Sequence, residues 1–207
     1  MGITQRKLQE KQELSKKILD AAMELFTQQG FEQTSIRNIA KKIEYSPTTI
    51  YIYFKDKDAI FHALHQQGFE VLNLKMGILM YVQNPMERLK AMGKVYIDFA
   101  LENPSLYELM FISNAPLMEI DSDEDKDWLE GSNAFSFLKS TLKECRENGY
   151  FPQQDLEATS FVVWSAMHGM VSLHIKNRSK KIFPENRDTI VQSGYNCLIQ
   201  IIESLKK

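Results

Sequence analysis

Apolar positions recur every three or four residues along most of the 207-residue chain, the period of a helix with one buried face. Leu14, Ile18, Ala21, Ala22, Leu25 and Phe26 share a face over about residues 6–29, and Gly30 is placed to cap that helix in a left-handed conformation. Thr34-Ser35 then opens a short helix carrying Ile36, Ile39, Ala40 and Ile43. Asp56 caps a long helix over about 57–81. Asn84-Pro85 opens the next, to about 102, and Asn103-Pro104 a short one to about 112. A loop with Pro116 and an acidic run covers 113–124. Helices follow over about 125–147, 154–178 after Pro152, and 185–206 from Pro184.

One segment breaks the pattern. Ser46–Phe54, SPTTIYIYF, alternates β-branched and aromatic residues as a strand does. A lone strand among helices has no ladder partner for its backbone groups. Ser46 as N-cap and Pro47 at the first helical position instead open a short helix. Ile50 and Phe54, four apart, then point inward and leave Thr48, Thr49, Tyr51 and Tyr53 on the outside. The chain is therefore predicted to be all-α. An N-terminal three-helix, helix-turn-helix domain (residues 1–57) is joined to a C-terminal helical domain (58–207).

Composition changes this picture little: 43% hydrophobic and 25% charged residues is ordinary for a globular protein. The net charge of -2 announces no polyanion partner, but residues 1–60 hold ten Lys/Arg against eight Asp/Glu, and the first 17 hold five against two. Cys145 and Cys197 form no C-x-x-C pair and read as ordinary small residues of a reducing compartment. The N-terminus has no apolar signal region. The apolar stretch Phe161–Ile175, broken by Ser165, His168 and Ser172, is too short to span a bilayer. A cytoplasmic location and no membrane partner are expected.

Two short helices joined by a tight turn, with a third in support, make a helix-turn-helix, and the helix from Pro47 is the one that enters the major groove. Thr48 and Thr49 offer hydroxyls to base edges and methyls to thymine. Tyr51 and Tyr53 have the reach for phosphates, and Lys57 lies where its charge and the next helix's free amides meet one. Residues 18–64 resemble the DNA-binding domain of the TetR family of bacterial transcription regulators. Gly30-Phe31, Thr34-Ser35, Ile39-Ala40, Ser46, Ile50-Tyr51, Tyr53-Phe54 and Lys57 carry the likeness. The resemblance implies that Arg37 faces the groove, that Thr34 or Ser35 binds phosphate while capping, that Ser46, Thr48, Thr49 and Tyr51 lie against the groove, and that Tyr53 and Lys57 take phosphates. The turn usually reads Ala-Gly-Val-Ser in that family; here it is Ile43-Glu44-Tyr45-Ser46. A missing glycine points to an altered or strained turn, and Glu44 sets a negative charge near the DNA.

Farther on, Trp164, His168 and Gly169 are similar to the Trp-x-x-x-His-Gly signature of one TetR C-terminal subgroup. Trp164 and His168 stack on one helix face. They form either a pocket wall with one polar handle or a core tryptophan beside a hydrogen-bonded histidine. Met76, Met80, Met92, Tyr96, Met110, Phe111, Phe137, Trp164 and Met167 are candidates to line an adaptable apolar cavity, each of them also an ordinary core residue by spacing. Ile190, Gly194, Leu198, Ile201 and Leu205 recur at helical spacing along the last helix; with the apolar helix 161–175 they suggest a four-helix dimer interface, and the TetR resemblance implies a two-fold homodimer.

No enzyme, cofactor or metal site is expected. The run Asp121–Asp127 lacks the glycine and glutamate of a calcium loop, and His62 and His65 have no completing ligand. Two function classes stay open. One is a dimeric, ligand-responsive transcription regulator that binds a pseudo-palindromic operator and is released by a small, largely apolar inducer, with repression the family default. The other is a DNA-bound interaction protein of the same fold without an inducer.

Overall fold

A computed structural model describes residues 3–113, 129–151 and 154–206. The expected loop with Pro116, the acidic run and Pro152 lie outside them. The described residues are helical throughout, joined by turns, with one isolated bridge between Tyr150 and Lys206. The helices are α1 (Ile3–Gln29), α2 (Ile36–Lys42), α3 (Pro47–Tyr51), α4 (Lys57–Leu79), α5 (Pro85–Glu102), α6 (Pro104–Phe111), α7 (Leu129–Glu147), α8 (Leu156–Ile175), α9 (Arg178–Ile182) and α10 (Ile190–Ser204). They fall into two compact units, which divide within α4 at Gly68, with the chain from Ser105 in α6 returning to the first.

In the first unit the inward stripes of α1 and α2 meet Ile50, the start of α4 and Leu109 in one core. Phe26, Phe31 and Phe61 knit it together, with ring centroids 5.2–6.0 Å apart. This core extends past the boundary expected at 57/58. Ile60, Phe61 and Leu64 belong to this core, so the opening turns of α4 are part of it. Gly68 then lets α6 approach closely: a Cβ there would sit 2.3 Å from Met110 Sδ.

The second unit packs α5, α7, α8 and α10 around Met86, Leu89, Leu142, Cys145, Val163 and Ile202. Arg88 is buried within it, with a polar neighbour at each guanidinium nitrogen. Nε donates to Thr141 Oγ1 at 3.1 Å, Nη1 to the Val82 carbonyl at 3.1 Å, and Nη2 pairs with Glu144 at 2.6 Å. This satisfies a carbonyl just past α4 and ties it to α7. Burial pushes the neighbouring Cys145 thiol up to about 11, so it stays an inert small core group.

Most helix starts match their sequence signals. Ser35, Ser46, Asn84 and Asp155 each accept a backbone N–H of the first turn, and Asp56 accepts from Ala59. The C-terminal end differs from expectation. α8 stops at Ile175 because Asn177 takes a left-handed conformation (φ 56°), a short α9 intervenes, and α10 starts at Ile190 instead of 185. Pro184 opens no helix; the chain around it turns through Asn186 and Thr189 N–H bonds to the Phe183 and Asn186 carbonyls.

The turn after α2 keeps the geometry of the missing glycine. Glu44 has φ 61°. Its N–H reaches the Lys41 carbonyl at 3.3 Å and the Tyr45 N–H reaches Ala40 at 3.0 Å, the paired bonds of a Schellman cap. A β-carbon in this region costs about 1–2 kcal/mol. Glu44→Gly is therefore expected to raise thermal stability by about 0.5–1 kcal/mol after allowing for the freer unfolded chain, measured by denaturation; an unchanged or lower midpoint would show that the turn is unstrained.

Candidate nucleic-acid interface

Ile50 is 0% exposed, and this fixes the rotation of α3. Phe54 and Tyr53 pack beside the same core. Opposite them, Thr48 and Tyr51 face outward, Tyr51 at 56% exposure. Ser46 Oγ accepts the Thr49 N–H at 3.1 Å and lies 2.9 Å from Thr49 Oγ1. These two hydroxyls hold the start of the helix, and Thr48 is left as the free polar side chain of its first turn. On α2, Ser35 and Asn38 form a reciprocal capping box, and Arg37 is exposed alongside.

Two of the expected phosphate ligands are placed otherwise. Thr34 is 2% exposed, and its hydroxyl donates to the Gly30 carbonyl at 2.8 Å while accepting from Gln29. It locks the α1–α2 turn, so the capping role and the outward hydroxyl belong to Ser35. Lys57 Nζ donates to the Phe31 carbonyl at 2.8 Å and stands 4.0 Å from the Phe31 ring centroid. Its charge is directed into the same turn and its removal would disturb the fold.

Two exposed residues join the surface unpredicted. Ile52 is 72% exposed at the end of α3, and Tyr45 is exposed at its start with Lys17 Nζ 5.7 Å from its ring centroid. Ile52 is legible once Ile50 is fixed inward, because two residues on is about 200° around the helix. Lys42 is bound to Glu24 at 2.7 Å and holds that carboxyl below its usual range, which leaves Arg37 and Lys41 as the unpaired cations of α2 among the described residues.

The candidate ligand-lining residues split between the units. Met110 fills the space over Gly68, and Phe111 lies against Tyr107 with centroids 4.9 Å apart; both belong to the first unit and not to the group around Trp164. That group is real within the second unit. Trp164 Nε1 donates to Tyr96 Oη at 3.3 Å, Tyr96 Oη is 3.5 Å from His168 Nδ1, and Ser172 Oγ is 3.2 Å from His168 Nε2. An indole only donates, so the consistent order has Tyr96 donating to Nδ1 and Nε2–H donating to Ser172. Burial disfavours the charged ring and lowers the His168 pKa below 6.5. Met76 and Met167 are closed into the core, whereas Phe137, Trp164 and His168 are half-buried. No group of three metal-ligating side chains occurs among the described residues, and none of their helices is long and apolar enough to cross a membrane.

The family described as bacterial regulatory proteins, tetR family, matches residues 18–64, and the tetracyclin repressor-like C-terminal domain matches residues 89–198. The uncharacterized HTH-type transcriptional regulator YobS of Bacillus subtilis is 26% identical over 162 residues, 78% of each chain. The negative transcriptional regulator of the icaADBC biofilm operon, IcaR of Staphylococcus aureus, is 28% identical over 103 residues, 48% of this chain and 54% of its own. The ketosteroid transcriptional regulator KstR2 of Mycobacterium tuberculosis has the same fold, with a TM-score of 0.74 at 17% identity over 93% of this chain and 95% of that one. With both its N-terminal and C-terminal parts matched, the chain belongs to the tetR family of bacterial regulatory proteins.

Proposed function

We propose that this chain is a cytoplasmic, dimeric repressor that reads a pseudo-palindromic operator with α3 and releases it when a small, largely apolar ligand enters the second unit. The observation that carries the reading is α3 itself: Ile50 is its inward anchor, while Thr48, Tyr51 and Ile52 stand outward. Thr48 and Thr49 contact base edges, with Ser46 holding Thr49 in place. Tyr51, Ser35 and Arg37 take phosphates or flanking edges, and Tyr53 extends along the backbone. Repression is supported by IcaR, which is a negative regulator.

The dimer reading is supported by apolar side chains left exposed on α8 and α10. Phe161, Val162, Ile201 and Leu205 are all open, and Gly194 brings α10 close to Met170 of α8. Within the expected set, Ile201 and Leu205 serve association best. Ile190 and Gly194 are half-buried and Leu198 packs on the chain's own core. The ligand reading is supported by the half-buried Phe135 and Trp164 rings, 6.1 Å apart between centroids, beside the Tyr96–His168 pair, an apolar wall with one polar handle. An interaction protein without an inducer is favoured by a different feature. Val71, Leu74 and Ile78 form an exposed apolar stripe at helical spacing along the end of α4, with exposed Tyr81 just past it.

The test uses a duplex enriched from random DNA by the full-length protein. Wild type is expected to prefer it over a shuffled duplex by about 10³-fold or more at physiological salt, with two protomers per site. Thr48→Ala and Tyr51→Ala are each expected to weaken it about 10-fold or more at an unchanged melting temperature. No enrichment, or full affinity in both variants, overturns the docking of α3.

A second expectation concerns His168. Its native pKa lies below 6.5, so the unfolded chain binds the proton more readily. Its contribution to stability is complete above about 6.5 and is lost as the pH falls toward the native pKa. His168→Gln is expected to shrink the loss of thermal stability between about pH 7.5 and 5.5, with His174, lowered in the same sense by burial and Lys180, keeping part of the slope. Identical slopes in variant and wild type would contradict a buried neutral ring.

A further inference from the structure

We propose that the outward side of α4 is a seam on which a second copy of this chain docks, with the two α4 helices parallel and in register. The end of α4 is apolar on two opposite sides. Phe69, Leu72 and Met76 are buried within the second unit. Leu74 lies two residues beyond Leu72, and Ile78 two beyond Met76, so each points about 200° away around the helix. They are 70% and 69% exposed. Val71 opens this outer stripe, and Tyr81 extends it in the turn closed by its N–H on the Ile78 carbonyl. The core of the chain covers the inner row and leaves the outer row as an apolar patch in water. The patch is on a different helix from Ile201 and Leu205 of α10 and from Phe161 and Val162 of α8.

The spacing and residue types of the stripe identify its occupant. Val71, Leu74, Ile78 and Tyr81 are separated by three, four and three residues, the alternation that keeps a seam facing a partner helix. Val71 and Ile78 are β-branched and Leu74 between them is not, the order that favours two parallel strands. The flanks carry opposite charges. Glu70, exposed, directly precedes Val71, and Lys75 directly follows Leu74, so the two stand on opposite sides of the stripe. In a parallel pair the opposite flanks of the two helices meet, and Glu70 of each copy faces Lys75 of the other. In an antiparallel pair like flanks meet, and Glu70 gains no cation. Lys75 is already 3.2 Å from Glu102, in a partly exposed pair that a second carboxylate can join. A two-fold contact requires one surface that complements itself, and an apolar row between an acid and a base does so.

The strength expected of the seam follows from its size. A few apolar layers make a small contact beside a stable interface, so docking is reversible and belongs to micromolar concentrations or above. No folding cost is added, because α4 is already held by its own unit. Association through α4 leaves the exposed residues of α8 and α10 uncommitted, so the two surfaces together assemble more than two protomers. The stripe then serves the chain itself and needs no foreign partner.

The experiment follows self-association of the full-length protein by sedimentation, up to about 100 μM, beside Leu74→Glu/Ile78→Glu and Ile201→Glu/Leu205→Glu. Wild type is expected to show an association step that the α4 variant weakens about 10-fold or more and that the α10 variant keeps. Leu74 and Ile78 are exposed in the single chain, so the α4 variant should melt with wild type in dilute solution. Orientation is read in a Cys197→Ser background, which removes the exposed native thiol. Like positions face each other in a parallel pair, so Leu74→Cys and Ile78→Cys should each form a disulfide with their own copy under mild oxidation, and Glu70→Cys should not. An association profile that the α4 variant leaves unchanged overturns the seam. A lower melting temperature in dilute solution with association unchanged also overturns it, because the stripe is then covered within its own chain. Crosslinking at only one of the two seam cysteines makes the pair antiparallel and overturns the register.

Discussion

The surface proposed to read DNA depends on the burial of one side chain. α3 spans five residues, far fewer than a helix needs to persist in water, so it exists only because it is anchored. Ile50 supplies the anchor, since full burial of such a side chain is worth about 1.5–3 kcal/mol, and the Ser46 cap adds about 1 kcal/mol. Because the anchor faces inward, the rotation of α3 is set before any partner arrives and Thr48, Tyr51 and Ile52 are presented without rearrangement. Such preorganisation lowers the cost of binding. The strained Glu44 turn and the Lys57 bond to Phe31 serve the same end, fixing the two connections that aim α2 and α3.

Much of this is legible in the sequence, and what escapes has identifiable causes. The strand-like run Tyr51–Phe54 resolves into a helix end because backbone pairing has to be satisfied and a Ser-Pro start is available. The altered turn is legible for the same kind of reason: a required left-handed residue leaves a mark where glycine is missing, and Glu44 carries it. The failures come where a local signal lacks its partner. Ser46 and Asn84 precede their prolines and offer an oxygen to the first turn, whereas Phe183 before Pro184 offers none, so no helix begins there. Asn177 looks like a solvated helical residue until its backbone turns left-handed.

Side-chain roles are harder to read than elements. Thr34 and Ser35 are adjacent and chemically alike, yet one is sealed into a turn and the other caps a helix. Only the three-dimensional course of the chain separates them. The charge of Lys57 suggests a phosphate, but a carbonyl 26 residues earlier in sequence reaches it first. Met110 and Phe111 look like cavity residues by composition, while the close approach at Gly68 assigns them to the first unit. In the second unit, spacing pairs Trp164 with His168 correctly. Tyr96, which completes their hydrogen-bond chain from α5, reads in the sequence as one cavity candidate among several, with no spacing that ties it to Trp164 and His168.

Every functional assignment in the first unit requires that α3 be the element that meets DNA. Amide hydrogen exchange of the full chain, with and without a duplex it has enriched from random DNA, tests this directly. New protection is predicted in the segment from Glu44 to Tyr53, the turn and helix that Ile50 holds in place. Tight binding with that segment unchanged and protection appearing elsewhere would contradict it.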